Sequence, residues 1–179
     1  MAILTTTWQL QTHDIALIEK TISPIPPGSR VMITVVLPED AEGHWDASPA
    51  VRKIGGVLPA NYHLATYFLM ERRAFFQTLF TDPSQQPVSV RQPYLESAQL
   101  SAAWGPPSYS MLVPGFHTQK EQEPYPYLVN WQSKFDYVLI MNAGGMRDWN
   151  DFLRDRLCLV ETNELAVLFR VRPSAGLPR

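Results

Sequence analysis

Cysteine is almost missing from this chain of 179 residues. The single one, Cys158, rules out an internal disulfide and a cysteine-based zinc site. It lies in the apolar run Leu157-Cys158-Leu159-Val160 and reads as a small buried hydrophobe; a catalytic thiol would need a base nearby, and the local sequence offers none. Long hydrophobic runs are missing too. No stretch approaches the roughly 20 residues that span a bilayer. Met1 to Trp8 is rich in threonine and lacks a signal-peptide pattern, so the chain reads as soluble. The opening Met1-Ala2-Ile3-Leu4 also suits a piece cut from something larger. Charge is sparse, with Asp, Glu, Lys and Arg making up 18% of residues and a formal charge of −2. Nucleic-acid-binding domains are strongly basic, so no nucleic-acid partner is expected.

Motifs that fix a reaction are missing as well. There is no GxGxxG, no GK[ST] and no Gly-x-Ser-x-Gly elbow. None of His13, His44, His63 and His117 stands at a metal-ligand spacing from another histidine or a carboxylate. The sequence has no internal repeats, and it calls for no metal and no cofactor.

What remains is an ordinary globular composition, 45% hydrophobic, in a length that suits one domain with a substantial core, spanning 1–179. Trp8, Gln11, Ile15, Ile18, Ile22 and Ile25 follow one helical face, which predicts a helix from Thr5 to Ser23, stopped by Ser23-Pro24-Ile25-Pro26-Pro27-Gly28. Arg30 to Leu37 is nearly all apolar and β-branched, as in a central strand buried on both faces. Pro38 to Asn61 reads as mostly loop, Leu64 to Phe80 as a helix, and Gln86 to Arg91, with Pro87 and Pro93, as a short edge strand or an extended segment. From 92 to 132 no periodicity survives. Its many prolines and its aromatics Tyr94, Trp104, Tyr109, Phe116, Tyr125, Tyr127 and Trp131 predict an irregular insertion packed onto something. Phe135 to Met141 reads as a second core strand, Met146 to Leu157 as a helix, and Cys158 to Glu161 with Glu164 to Val171 as two strands around Thr162-Asn163. A flexible tail is expected over 173–179. Helices alternating with apolar strands predict an α/β three-layer sandwich with a mixed, mainly parallel sheet.

Candidate sites are few. Glu71-Arg72-Arg73 interrupts a helix that is otherwise apolar nearly all round, and buried charges must be paired. Two readings stand: a solvated polar strip, or a carboxylate or phosphate clamp, since arginine suits bidentate anion binding. Gln85 and Gln86 just beyond could hydrogen-bond a polar ligand or tie down the loop. Gly144-Gly145 follows a strand and precedes a helix, where phosphate is held in nucleotide-binding folds. Asn142, the amides around Met146 and Arg147 would then form that site; a plain turn is the alternative. His63 is a capping or packing residue or a ligand contact, while His117, in the loop, reads as surface. Asp46, Asp148, Asp151 and Asp155 are candidate acids, but Asp151 and Asp155, alternating with Arg147, Arg154 and Arg156 on the final helix, read as a solvated face.

The strand after Pro26-Pro27-Gly28-Ser29, the segment YHLATYFLMERRAFFQTLF followed by Gln85-Gln86-Pro87, then FDYVLIMN and a closing ELAVLFRVR carry a resemblance over roughly Pro26 to Arg172. Together they resemble the soluble C-terminal region of bacterial polytopic membrane proteins related to lipid-linked-sugar glycosyltransferases. His63 with Arg72, Arg73 and Gln85-Gln86-Pro87 is the more particular part. The resemblance implies an α/β domain that follows the last membrane helix. Catalytic acids there belong to loops between membrane helices, which this chain lacks. The domain would therefore be a non-catalytic accessory. It would cover the membrane-embedded portion of the same polypeptide or a membrane partner and assist substrate binding or assembly, on the extracytoplasmic, periplasmic face of the bacterial inner membrane. A cytoplasmic location is the alternative. Two competitors are a free-standing binder or enzyme for nucleotides or sugar phosphates, and a structural or homo-oligomerisation module.

Overall fold

The structure, a computed structural model, describes residues 2–36, 53–54, 58–59, 71–77, 89–98, 106–115, 118–143 and 150–173; for 2–11, 53–54, 58–59, 119 and 121 it describes the backbone alone. Helix α1 (Ala2–Ile22) leads into strand β1 (Arg30–Val35). Two-residue strands β2 (Lys53–Ile54) and β3 (Leu58–Pro59) pair with each other, and β4 (Phe75–Phe76) follows. The short helices α2 (Gln119–Gln122) and α3 (Trp131–Lys134) precede β5 (Tyr137–Met141). Helix α4 (Asp151–Arg156) and the strands β6 (Leu157–Thr162) and β7 (Ala166–Val171) close the chain.

The main sheet has the order β4-β1-β5-β7-β6. Its first three strands are parallel; β7 runs antiparallel to both β5 and β6. This is a mixed sheet of an α/β fold, parallel at its centre, and the closing strand pair supplies its antiparallel part. Side chains alternate across it as the period of two demands. Val31, Ile33 and Val35 of β1 join Leu139 and Met141 of β5 in one buried cluster with Ile18, Ile22 and Ile25. Met32, Val138 and Ile140 face the opposite way, into a second cluster with Leu112, Tyr127, Trp131, Phe135 and Leu153. No helix among the described residues is long and apolar enough to cross a membrane.

Helix α1 stops where the prolines begin. The Ser23 amide still reaches Glu19 O, and Gly28, at φ 80°, makes the left-handed turn into β1. The β6–β7 turn is tied to α1 by Asn163. Its Nδ2 donates to Leu17 O (3.0 Å) and to Thr21 Oγ1 (2.6 Å), while its Oδ1 accepts from the amides of Leu165 and Ala166.

Three expectations are corrected. The helix expected over 64–80 does not continue through its second half. Glu71 and Arg72 are helical, Arg73 turns left-handed at φ 48°, and Phe75–Phe76 is a strand. The two phenylalanines enter opposite clusters, so burial on both faces of a sheet edge outweighs the helix-like local pattern. Ser89 to Arg91 lies in no strand. The 92–132 stretch, far from structureless where described, holds 3-10 turns at Leu95–Ser97, Tyr109–Leu112 and Pro126–Leu128 besides α2 and the start of α3. Its aromatics do pack: Tyr127 and Trp131 are buried, and the indole N–H of Trp131 donates to Leu112 O at 3.2 Å. The remainder of the 64–80 and 86–91 segments lies outside the described residues.

The outer edge of β1 is closed in three pieces. Phe75–Phe76 pairs with Arg30 and Val31, and the Phe75 amide donates to Ser29 O at 2.9 Å. At Ile33 the buried side chain of Gln77 acts in place of a strand. Its Oε1 accepts from Ile33 N at 3.0 Å, and its Nε2 donates to Ile33 O. At Val35 the amide donates to Pro107 O at 3.0 Å, and Ser108 forms a parallel bridge. Ser29 O, Ile33 N, Ile33 O and Val35 N on this edge thereby gain partners. The Tyr127 hydroxyl hydrogen-bonds the Gln77 side chain as well.

Gln77→Met keeps the length of the side chain and removes both amide bonds to Ile33. With two buried backbone groups orphaned, unfolding free energy measured by urea denaturation should fall by about 2–4 kcal/mol. Burial, and secondarily the neighbouring Tyr125, pushes the Tyr127 hydroxyl well above its ordinary 10.0. The unfolded phenol ionises above that pH while the folded one keeps its proton, so this contribution is intact below pH 10.0 and is lost as pH rises past it. One such group steepens the alkaline loss of stability by up to about 1.4 kcal/mol per pH unit. Tyr127→Phe should flatten that decline in a pH series of urea melts, and an unchanged slope would disprove the assignment.

Candidate functional site

Arg72 of the 71–73 triplet is held by the turn that follows α1. The last carbonyls of a helix have no partner within it, and a cation there also meets the negative end of the helix dipole. Arg72 stands just past that end: its Nε donates to Ile25 O at 2.7 Å, and a terminal nitrogen donates to Ser23 O, both in the turn after the helix. Glu71 and Arg73 are exposed and Arg72 is half-buried. The partners of Arg72 are thus backbone dipoles of the α1–β1 turn. Arg73, in the left-handed region, breaks the helix so that Phe75 can enter the sheet.

Asn142 occupies the other end of the sheet. It follows the last residue of β5, adopts φ 58°, is nearly buried and donates its amide to Leu165 O at 2.8 Å. Asparagine tolerates this backbone better than other side chains, which fits a turn. Phe75 pairs with Arg30 at the beginning of β1, whereas Met141 pairs with Val35 at its end. Arg72 and Arg73 therefore flank the amino ends of the parallel strands, and Asn142 the carboxyl ends, a strand length or roughly 15–20 Å away. The structure does not bring them into one site. His63, Gln85, Gln86, Gly144 and Gly145 lie outside the described residues, as do His117, Met146, Arg147 and Asp148.

At the carboxyl end, β1 and β5 are adjacent parallel strands whose outgoing connections run to opposite sides, β1 toward β4 and β5 toward β6 and β7. Open α/β sheets hold ligands at such a reversal. Here Val36 N donates to Met141 O, and Pro107-Ser108 lies against Val35. Pro107-Ser108 thus covers the outer edge of β1, away from β5, and the segments that follow the two strands, 37–52 and 144–149, lie outside the described residues.

One ion pair was not legible as such in the sequence. Arg30 clasps Asp136 through Nε–Oδ2 (3.3 Å) and a terminal nitrogen–Oδ1 (3.1 Å), and the Arg30 amide adds a bond to Oδ2 at 2.9 Å. Both residues stand at the entrance to a parallel strand, and a basic and an acidic residue opening two apolar runs is the signal that could have found it. The α4 face is mixed in kind. Asp151 and Arg154 form an exposed pair at 3.0 Å, but Arg156 lies over the Phe152 ring at 3.6 Å and donates to Phe152 O. Among the described residues no cluster of His, Cys, Asp and Glu could hold a metal ion. Lys134 is the described lysine with a perturbed proton affinity, lowered by burial and partly restored by Glu96.

Arg72→Ala should cost about 1 kcal/mol in a thermal or urea melt, through the exposed carbonyls of Ser23 and Ile25. Arg73→Gly, which relaxes a left-handed backbone, should leave stability equal or higher by about 1 kcal/mol. The reverse order would show that Arg73, not Arg72, anchors this corner.

No protein-family model matches the chain, and no curated protein and no solved structure is significantly similar to it.

Proposed function

We propose that the chain is the non-catalytic soluble accessory domain of a larger membrane protein related to lipid-linked-sugar glycosyltransferases. It would lie against the membrane-embedded portion of the same polypeptide, or a membrane partner, on the extracytoplasmic face and assist substrate binding or assembly. In this reading the fold is a three-layer sandwich, with α1 on one face of the sheet and the 92–132 insertion with α4 on the other. The observation that carries the proposal is the pairing of Pro107-Ser108 with Val35. There the chain's own backbone closes the outer edge of β1, the side away from β5. A supporting observation is Arg72, whose guanidinium serves the turn after α1. Both favour a domain that covers and contacts over one that reacts.

The genomic reading frame tests this directly. Several apolar spans of about 20 residues encoded in frame before Met1 are expected. A ribosome-binding site and start at Met1, with an in-frame stop just before it, would overturn the proposal. Should the spans be present, Arg73→Ala in the whole protein is expected to weaken contact between soluble and membrane parts, read as faster proteolytic release of the domain, without lowering its melting temperature.

A further inference from the structure

A groove of about 490 Å³ opens between α4 and β6. Its floor is apolar: Leu153, Leu157 and Phe169 are all buried there against the core. Leu159, on the same face of β6 as Leu157, stands 60% exposed at the mouth. Cys158 and two cations, Arg154 and Arg172, complete the lining, which among the described residues holds no acidic side chain. The size is that of small-molecule sites, roughly 300–1,000 Å³.

We propose that this groove binds a small anionic amphiphile, an apolar chain ending in a carboxylate or a phosphate. The floor and Leu159 would take the chain, since covering an exposed leucine removes apolar surface from water. The arginines would take the head, because a guanidinium offers a planar fork of donors to either anion. Arg154 already pairs with Asp151, but both side chains are largely exposed (60% and 91%). Such a pair holds its partners weakly, and the guanidinium has donors left over. A free phosphate would leave the apolar floor unused. An added peptide strand would meet the irregular register of β6 between Leu159 and Glu161, which breaks the edge that strand addition needs. The proposal goes beyond the accessory-domain reading and does not rest on it.

Cys158 lines the same groove and is the only cysteine in the chain, so it reports occupancy. The experiment measures the rate at which a neutral disulfide reagent modifies Cys158 in the full chain. The rate is followed as dodecyl phosphate, dodecanoate, dodecyltrimethylammonium, dodecyl maltoside or inorganic phosphate is titrated below its micelle concentration. Dodecyl phosphate and dodecanoate should each protect Cys158. The Arg154→Gln/Arg172→Gln variant should need about tenfold more of either for the same protection. Both arginines are exposed, so the variant should melt like the parent chain. Inorganic phosphate, the cationic amphiphile and the neutral one should protect about tenfold less well or not at all. Equal protection by the cationic or neutral amphiphile would reduce the groove to a greasy surface and overturn the proposal. Protection by inorganic phosphate alone, an unchanged response in the double variant, or no protection by any amphiphile would overturn it too.

Discussion

The structure turns on the need to satisfy both edges of β1. That strand is buried along almost its whole length, so every backbone amide and carbonyl on it requires a partner inside the protein. On the inner side β5 supplies five consecutive register pairs. On the outer side, among the described residues, its paired strand is the two-residue Phe75–Phe76. The chain assembles that edge from Phe75–Phe76, the carboxamide of Gln77, and Pro107-Ser108. Much of the surrounding architecture follows from this. The helix carrying Arg72 ends where it does so that Phe75 can reach the sheet, and Tyr127 is carried inward to the amide that completes the edge.

The same constraint reshapes the arginine triplet. Read alone, Glu71-Arg72-Arg73 promises a buried anion site, because charge in an apolar helix demands a counter-charge. The structure meets the demand with peptide dipoles instead: Arg72 anchors the turn that joins α1 to β1, 47 residues earlier in the chain. A guanidinium over turn carbonyls needs no carboxylate, and Arg73 beside it faces outward. An interface seam accords with that arrangement more naturally than a reaction centre, and the accessory-domain proposal places it beside the membrane portion.

Elements whose signal is local and repetitive were legible. The β-branched run of β1, the apolar run of β5 and the closing strand pair around Asn163 could be read from alternation and turn chemistry, and with them a mixed sheet. Phe75–Phe76 could not, since a two-residue strand has no period and its aromatics continue the helical pattern before it. Nor could the part played by Gln77: a glutamine after two phenylalanines looks like any helix residue until the third dimension sets its amide against Ile33. The aromatics of 92–132 could be read as packed but not as to where, because irregular chain carries no face. At the candidate site, Asn142 as a turn residue was visible locally. Arg72's acceptors are main-chain oxygens, which have no sequence identity to read.

Placing the first strand inside the sheet, between β4 and β5, has a consequence for biosynthesis. Arg30 and Asp136 are separated by 106 positions, so β1 leaves the ribosome long before its principal neighbour exists. Until β5 and β7 are made, a strand of nearly continuous hydrophobic residues has only local company in α1. Contacts of such span form slowly, and exposed edges of this kind recruit other chains. Early docking of α1 on Val31, Ile33 and Val35 would then act as an internal chaperone, shielding one face of β1 while its edges wait for the rest of the polypeptide.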